Sequence, residues 1–316
     1  MKEVEIILEE RKAKEREVID KIVKRQFHLS ASSLKSFKQS PKAFIDYKLK
    51  EWKQTDAMLS GSMVHCLILE PEEFEKRYIT LDCQSPSNAQ QKSVIDLLIS
   101  DKNLEEAYSL NYSKYDEKKA VELKDKYSEF IEFSKKNIKE KKQVVSKDLM
   151  IDAHLKSEAI KRNSGAKKVL EMIGQTEVEL NWYSQGIKMK GFVDGLGDCI
   201  LDLKGCPDVS KRKFTYKMVD EYIPMQFAIY ADGLQKKHKT ENLPCYVICF
   251  DNNFEVGTYL INSDFIWAGR MQYLKALKDF KRCIMLDEWH RSVDFYGDEN
   301  GLGYISKPSL DRKSVV

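Results

Sequence analysis

The sequence predicts a mixed α/β fold, with one sheet of about five strands flanked by helices and a helical insertion ahead of the sheet. Three observations predict it. Residues 176–204 leave helical spacing for alternation, with Val178, Leu180 and Trp182 two apart and a Gln185-Gly186 turn behind them. Residues 244–261 repeat the pattern around an Asp251-Asn252-Asn253 turn. Elsewhere apolar residues recur at helical spacing, as in Val94, Leu97 and Leu98.

In chain order, residues 1–26 interleave Glu with Lys and Arg around Val4, Ile6, Ile7, Leu8, Val18, Ile19, Ile22 and Val23. That is a thin apolar stripe on an exposed, peripheral helix. Residues 27–292 read as a single domain. Leu29 to Phe37 opens a helix with serine caps, and Ser40-Pro41 opens the next with proline at its first position. Ser60 to Leu69 is a short apolar helix that Pro71 follows closely. Residues 84–170 are lysine-rich with helical spacing and read as a helical insertion or lid. Strands follow at 176–184, 187–196 and 198–204, an antiparallel set. A helix over 216–237 is kinked or restarted by Pro224. Strands 244–250 and 254–261 and a long amphipathic helix over 264–289 complete the domain. Residues 293–316 form a tail that frays.

The chain has 316 residues, 42% of them hydrophobic, enough for a core. Charged residues make up 33%, yet net charge is only +3, which does not by itself mark a nucleic-acid binder. Lysine clusters at 135–136, 139–142, 211–213 and 236–239 say more. Such runs are as often solvated helix faces as phosphate tracks, and Lys211, Arg212 and Lys213 are the DNA-contact candidates. The seven cysteines contain no Cys-x-x-Cys pair. Cys245 and Cys249, four apart in a strand, suit neither zinc nor an iron–sulfur cluster. They read as reduced, buried thiols. No apolar stretch suits a signal peptide or a bilayer span, so the expectation is a cytoplasmic protein without a membrane.

The chemistry concentrates in 191–204. Asp202 and Lys204 lie two apart on a strand, so they share a face, while Leu201 and Leu203 take the other. Acid-x-Lys triplets recur in this chain, but this one ends an apolar strand that a turn pairs with Asp194. A salt bridge at a strand end is the plain reading. The functional reading is a divalent-cation site: Asp194, Asp202 and the Leu203 carbonyl offer the hard oxygens Mg²⁺ prefers, and Lys204 holds water and offsets phosphate charge. His65 sits on the apolar helix, where a lone histidine is usually a core residue; Gly61 and Ser62 would let that helix come close to the sheet. Glu179 is a further candidate ligand, or simply a solvent-facing acid. Gln226 and Tyr230 share a helix face and could flank the lysine, or form a half-buried pair.

Together these residues resemble the PD-(D/E)XK nuclease superfamily, and within it the phage exonucleases of the RecE (exodeoxyribonuclease VIII) and lambda-exonuclease type. Ser30 to Phe44 is similar to the serine-rich first helix, and Gly61-x-x-x-His65-x-x-x-Leu69-Glu70-Pro71 to the histidine motif. Gly191-x-x-Asp194, Asp202-Leu203-Lys204 and Gln226-x-x-x-Tyr230 resemble the catalytic core and closing helix. The resemblance spans about residues 27–260 and rests on the order of its pieces. It implies a restriction-endonuclease-like fold and 5′-to-3′ digestion of one strand of linear duplex DNA. It further implies Mg²⁺ or Mn²⁺, as a pair of ions per site. His65, Asp194 and Asp202 would be ligands and Lys204 the catalytic lysine, with Gln226 and Tyr230 in support. A homo-oligomeric ring on double-stranded DNA ends, a RecT-type annealing partner and a phage or prophage origin in a bacterial host follow from the same resemblance. Two features depart from the pattern: Gly205 stands where a hydroxyl residue is common, and 84–170 carries no family motif. The rivals are a RecB-like repair nuclease, a CRISPR-associated adaptation nuclease, which the missing iron–sulfur cysteines disfavour, and a non-catalytic DNA-binding scaffold.

Overall fold

The computed structural model describes residues 2–50, 54–80, 83–239 and 242–291, without the side chains of 2–4. The tail expected at 293–316 lies outside the described residues.

The chain starts with α1 (Lys2–Val23). It is not peripheral throughout: Ile19 and Ile22 are buried in the main core. Next come α2 (Ala31–Gln39) and α3 (Pro41–Leu49). Ser30 and Ser33 exchange hydrogen bonds as a capping box on α2, and the Ser40 side chain caps α3. Helix α4 (Asp56–Leu69) is capped by Thr55, and α5 (Pro71–Arg77) follows with proline in its first turn.

The next region differs from the all-helical expectation. A three-residue strand β1 (Tyr78–Thr80) precedes helices α6 (Ala89–Ile99), α7 (Leu104–Ser109), α8 (Glu117–Lys126) and α9 (Ser128–Lys139). Strand β2 (Gln143–Val145) then returns to pair with β1 in parallel. Helices α6–α9 enclose an apolar cluster of their own around Ile95, Tyr108, Leu123 and Tyr127. Helices α10 (Lys147–Arg162) and α11 (Ser164–Leu170) instead pack with α4 on the main sheet.

The main sheet has β3 (Ile173–Ser184), β4 (Ile187–Gly197), β5 (Ile200–Gly205), β6 (Cys245–Phe250) and β7 (Val256–Ile261), in that spatial order. All neighbours are antiparallel except β5 and β6. That parallel pair needs a crossover, which α12 (Lys211–Asp220) and α13 (Ile223–His238) supply. The helix expected at 216–237, kinked or restarted at Pro224, is restarted: α12 and α13 part at Tyr222, whose φ of 53° breaks the helix just before Pro224. The last element among the described residues is α14 (Ser263–Leu286).

Both sheet faces are covered. Ile200, Val247 and Cys249 join the core shared with α2, α13 and α14. Leu201, Leu203, Ile248 and Phe250 join the core shared with α4, α10 and α11. This alternation is why β5 and β6 read as nearly continuous apolar runs. It also leaves Asp202 as a fully buried acid in the strand. The result is the three-layer, mixed-sheet arrangement of a restriction-endonuclease-like fold.

Candidate active site

The site sits where β4 and β5 part. The two strands pair only at Gly195↔Leu201 and Leu196↔Ile200. Beyond that the Asp194 carboxylate replaces the missing ladder: its Oδ2 accepts the Leu203 N–H at 2.7 Å. The orphaned backbone donor is satisfied, and one acid is fixed in the seam between the strands.

On the α13 side of the seam the groups form a continuous hydrogen-bonded network. Lys204 Nζ lies 3.0 Å from Asp202 Oδ1 and 2.9 Å from Oδ2. Gln226 Nε2 donates to Asp202 Oδ1 at 2.8 Å and to the Tyr230 hydroxyl at 3.0 Å. Lys35, on α2, donates to Gln226 Oε1 at 3.0 Å. The amide thus turns its N–H groups toward the acid because a lysine claims its oxygen. Gly191 makes room for this helix: a Cβ there would come 2.9 Å from the Tyr230 ring.

The α4 side is built of acceptors. His65 Nε2 lies 2.8 Å from the Leu203 carbonyl oxygen, and Nδ1 lies 3.7 Å from Asp194 Oδ2. If Nε2 carries the proton, Nδ1 and the carboxylate face each other as two acceptors. Glu177 joins them: ligand atoms of His65, Glu177 and Asp194 all fall within 4.8 Å of one another. Glu177 has a φ of 50°, a strained value for a non-glycine strand residue.

Charge follows this geometry. Burial and then Asp202 push the Asp194 carboxyl above the usual carboxylate range, against His65 and Lys204. Burial and Asp194 raise Glu177 as well. Burial works to discharge Lys204, but Asp202 and Asp194 outweigh it and hold its ammonium above the ordinary lysine value. Burial, reinforced by Lys204, lowers Lys35 to about 8. Burial, Asp202 and Asp194 hold the Tyr230 phenol well above its usual value, so it stays protonated.

These residues fit a divalent cation. Asp202 Oδ2 is buried and has the Lys204 ammonium beside it but no hydrogen bond of acceptable geometry. With His65 protonated on Nε2 alone, its Nδ1, the Asp194 carboxylate and the exposed Glu177 carboxylate present acceptors that a cation would bridge. Carboxylate oxygens with one imidazole suit Mg²⁺ or Mn²⁺.

A family model described as "PDDEXK-like domain of unknown function (DUF3799)" matches residues 30–294. The chain belongs to this PDDEXK-like family. Among solved structures it is similar to one named "Putative exonuclease" from Eubacterium rectale, at 15% identity and a TM-score of 0.49, covering 89% of this chain and 90% of that one. No curated protein matches. The family makes this a nuclease-like domain, of the kind that hydrolyses nucleic acid.

Among the sequence candidates, His65, Asp194, Asp202, Leu203, Lys204, Gln226 and Tyr230 converge on the parted strands. Glu179 does not. Its carboxylate lies 2.9 Å from Lys190 and accepts from Asn181 at 2.8 Å, out on an exposed edge. Glu177 takes the place expected for it. The signal was in the hairpin: the Gln185-Gly186 turn sets Ser184 against Ile187, and counting back along that register brings residue 177 opposite 194. The close approach attributed to Gly61 is also absent. A Cβ at Gly61 would meet nothing within 4 Å, and Ser62 is exposed. Helix α4 is held instead by Ser60, whose hydroxyl meets Asp152 and the buried Lys156 amine on α10. Lys211 and Arg212 are exposed at the start of α12, and Lys213 pairs with Asp208 at 2.7 Å. Cys66, Cys199, Cys206, Cys245, Cys249 and Cys283 are buried free thiols, and Cys83 is half-buried. Among the described residues no helix is long and apolar enough to cross a membrane.

Proposed function

We propose that the protein is a metal-dependent exonuclease that degrades one strand of linear double-stranded DNA from its 5′ end. The supporting observation is the pairing, in one seam, of a cation-demanding cluster with a lysine kept charged by two aspartates. A bound Mg²⁺ or Mn²⁺ would supply Lewis-acid polarisation of the phosphate and a more acidic water. Asp194, Asp202, the Leu203 carbonyl, His65 and Glu177 are the groups that would hold it.

The chain's own residues do the rest. Lys204, as an ammonium, donates hydrogen bonds; it orients water and offsets charge gathering on the phosphate rather than taking a proton. Gln226 fixes the rotamer of Asp202. Tyr230, kept protonated, supports the amide from behind. In this reading the product is a 3′ overhang for a RecT-type annealing protein, and a homo-oligomeric ring gives processivity. The setting is a phage or prophage gene expressed in bacterial cytoplasm.

The test is digestion of linear duplex, closed circular duplex and single strands in Mg²⁺, repeated with EDTA and with Lys204→Ala. Loss of linear duplex alone, abolished by both changes, supports the reading. Equal cutting of closed circles makes it an endonuclease, and binding without cutting makes it a scaffold.

A further inference from the structure

Lys35 belongs to no motif that the chemistry above uses, yet it stands inside the site. Helix α2 projects it so that its ammonium donates to Gln226, one residue removed from the Asp202–Lys204 pair. An ammonium has three N–H donors. Among the described residues Lys35 spends one on Gln226 and has no carboxylate within ion-pair distance. The four charges it faces are paired with each other: Lys204 with Asp202, and Lys217 with Glu221. A second, unmatched cation beside Lys204 costs electrostatic energy in the free protein. That cost is recovered when an anion enters.

We propose that Lys35 is a second phosphate-binding lysine, which grips a non-bridging oxygen of the DNA phosphate seated against Lys204. This rests on the nuclease reading above. The position explains why Gln226 is shared. Its oxygen aims Lys35 toward the seam and its nitrogen aims Asp202, so one amide aligns the phosphate grip with the metal-facing acid. The low Lys35 value, about 8, agrees with a cation awaiting its counter-ion. The charged groups facing it are Lys204 and Asp202 on β5 and Lys217 and Glu221 on or beside α12.

The experiment compares wild type, Lys35→Gln and Lys35→Arg on a linear duplex, with binding followed in Ca²⁺ across a salt series and single-turnover cutting followed in Mg²⁺. Lys35→Gln should weaken duplex binding roughly ten-fold, the weight of one charge-assisted hydrogen bond. It should also make the log–log salt slope shallower by about 0.9, the signature of one lost phosphate contact. Lys35→Arg should keep the wild-type slope. Wild-type affinity should fall above about pH 8, where Lys35 loses its proton, and that fall should vanish in Lys35→Arg. Calorimetric Mn²⁺ binding should match wild type in both variants, and Lys35→Gln, relieved of a buried unmatched charge, should melt no lower than wild type. An unchanged affinity and slope in Lys35→Gln overturns the proposal. So does a loss that tracks weakened Mn²⁺ binding or melting, which would make Lys35 a structural prop. Wild type that neither binds nor cuts duplex would instead sink the nuclease reading itself.

Discussion

The two banks of the β4–β5 seam are built on opposite principles. The α13 bank is tied together by hydrogen bonds: Lys35, Gln226, Tyr230, Lys204 and Asp202 form one chain of donors and acceptors, with Asp202 Oδ2 and the spare Lys35 donors left over among the described residues. The α4 bank is unfinished: His65, Glu177 and Asp194 bring ligand atoms within 4.8 Å of one another, burial and Asp202 raise Asp194, and burial and Asp194 raise Glu177. The difference teaches a division of labour. One bank is preorganised and needs no ligand to hold its geometry. The other holds its cost in reserve until a cation arrives.

The largest effect tests the α13 bank. Lys204→Ala should abolish cutting, a drop of roughly a thousand-fold or more. It should also strand the Asp202 carboxylate in the core and cost about 3 kcal/mol of stability without metal, since breaking a buried pair leaves an uncompensated charge. Mn²⁺ should restore part of that stability. Equal melting of variant and wild type in EDTA would show that the pair is not what holds the bank together.

Asp202→Ala follows from the same pairing. From sequence, deleting an acid from a crowded anionic site is expected to relieve repulsion and leave the fold intact. The structure reverses that expectation. Asp202 is the buried counter-ion of the half-buried Lys204 and the acceptor for Gln226, so its removal strands Lys204. Denaturant melts should show Asp202→Ala clearly less stable than wild type, and Asp202→Asn, which keeps the Gln226 contact, in between.

The unfinished bank is sharpened by a matched pair of changes. Glu177→Gln should weaken calorimetric Mn²⁺ affinity by about ten-fold, as loss of one charged ligand does. Glu179→Gln, removing an acid two residues along, should leave it unchanged because that carboxylate belongs to Lys190. Equal effects from the two would break the assignment of Glu177.

How much of this was legible differs between the banks. Period-two alternation put Asp202 and Lys204 on one face, because strand geometry is local. Helical spacing likewise joined Gln226 to Tyr230. Glu177 was hidden in the same strand as Glu179, and only the hairpin register separates them. Lys35 lies 191 residues from the amide it bonds, and no local rule reports a contact made by packing α2 against α13. Strands β1 and β2 escaped for a related reason: three residues each, joined across four helices, they carry no usable period.

The last test separates the banks by pH. A lysine whose folded value is pressed below its unfolded one is held less tightly protonated in the native state. Between about 8 and the ordinary lysine value of 10.5, the unfolded chain binds the proton that the native chain has released. Stability contributed by this group therefore rises with pH across that window and is level below it. Lys35→Met removes the group, so the stability difference, wild type minus variant, should climb from pH 8 to 10.5 and stay flat from 6 to 8. Lys204 lies above the ordinary lysine value and is not the source of that climb. A difference that falls over the same window would mean that Lys35 has a carboxylate partner in the native protein, and that the α13 bank is matched in charge as well as in hydrogen bonds.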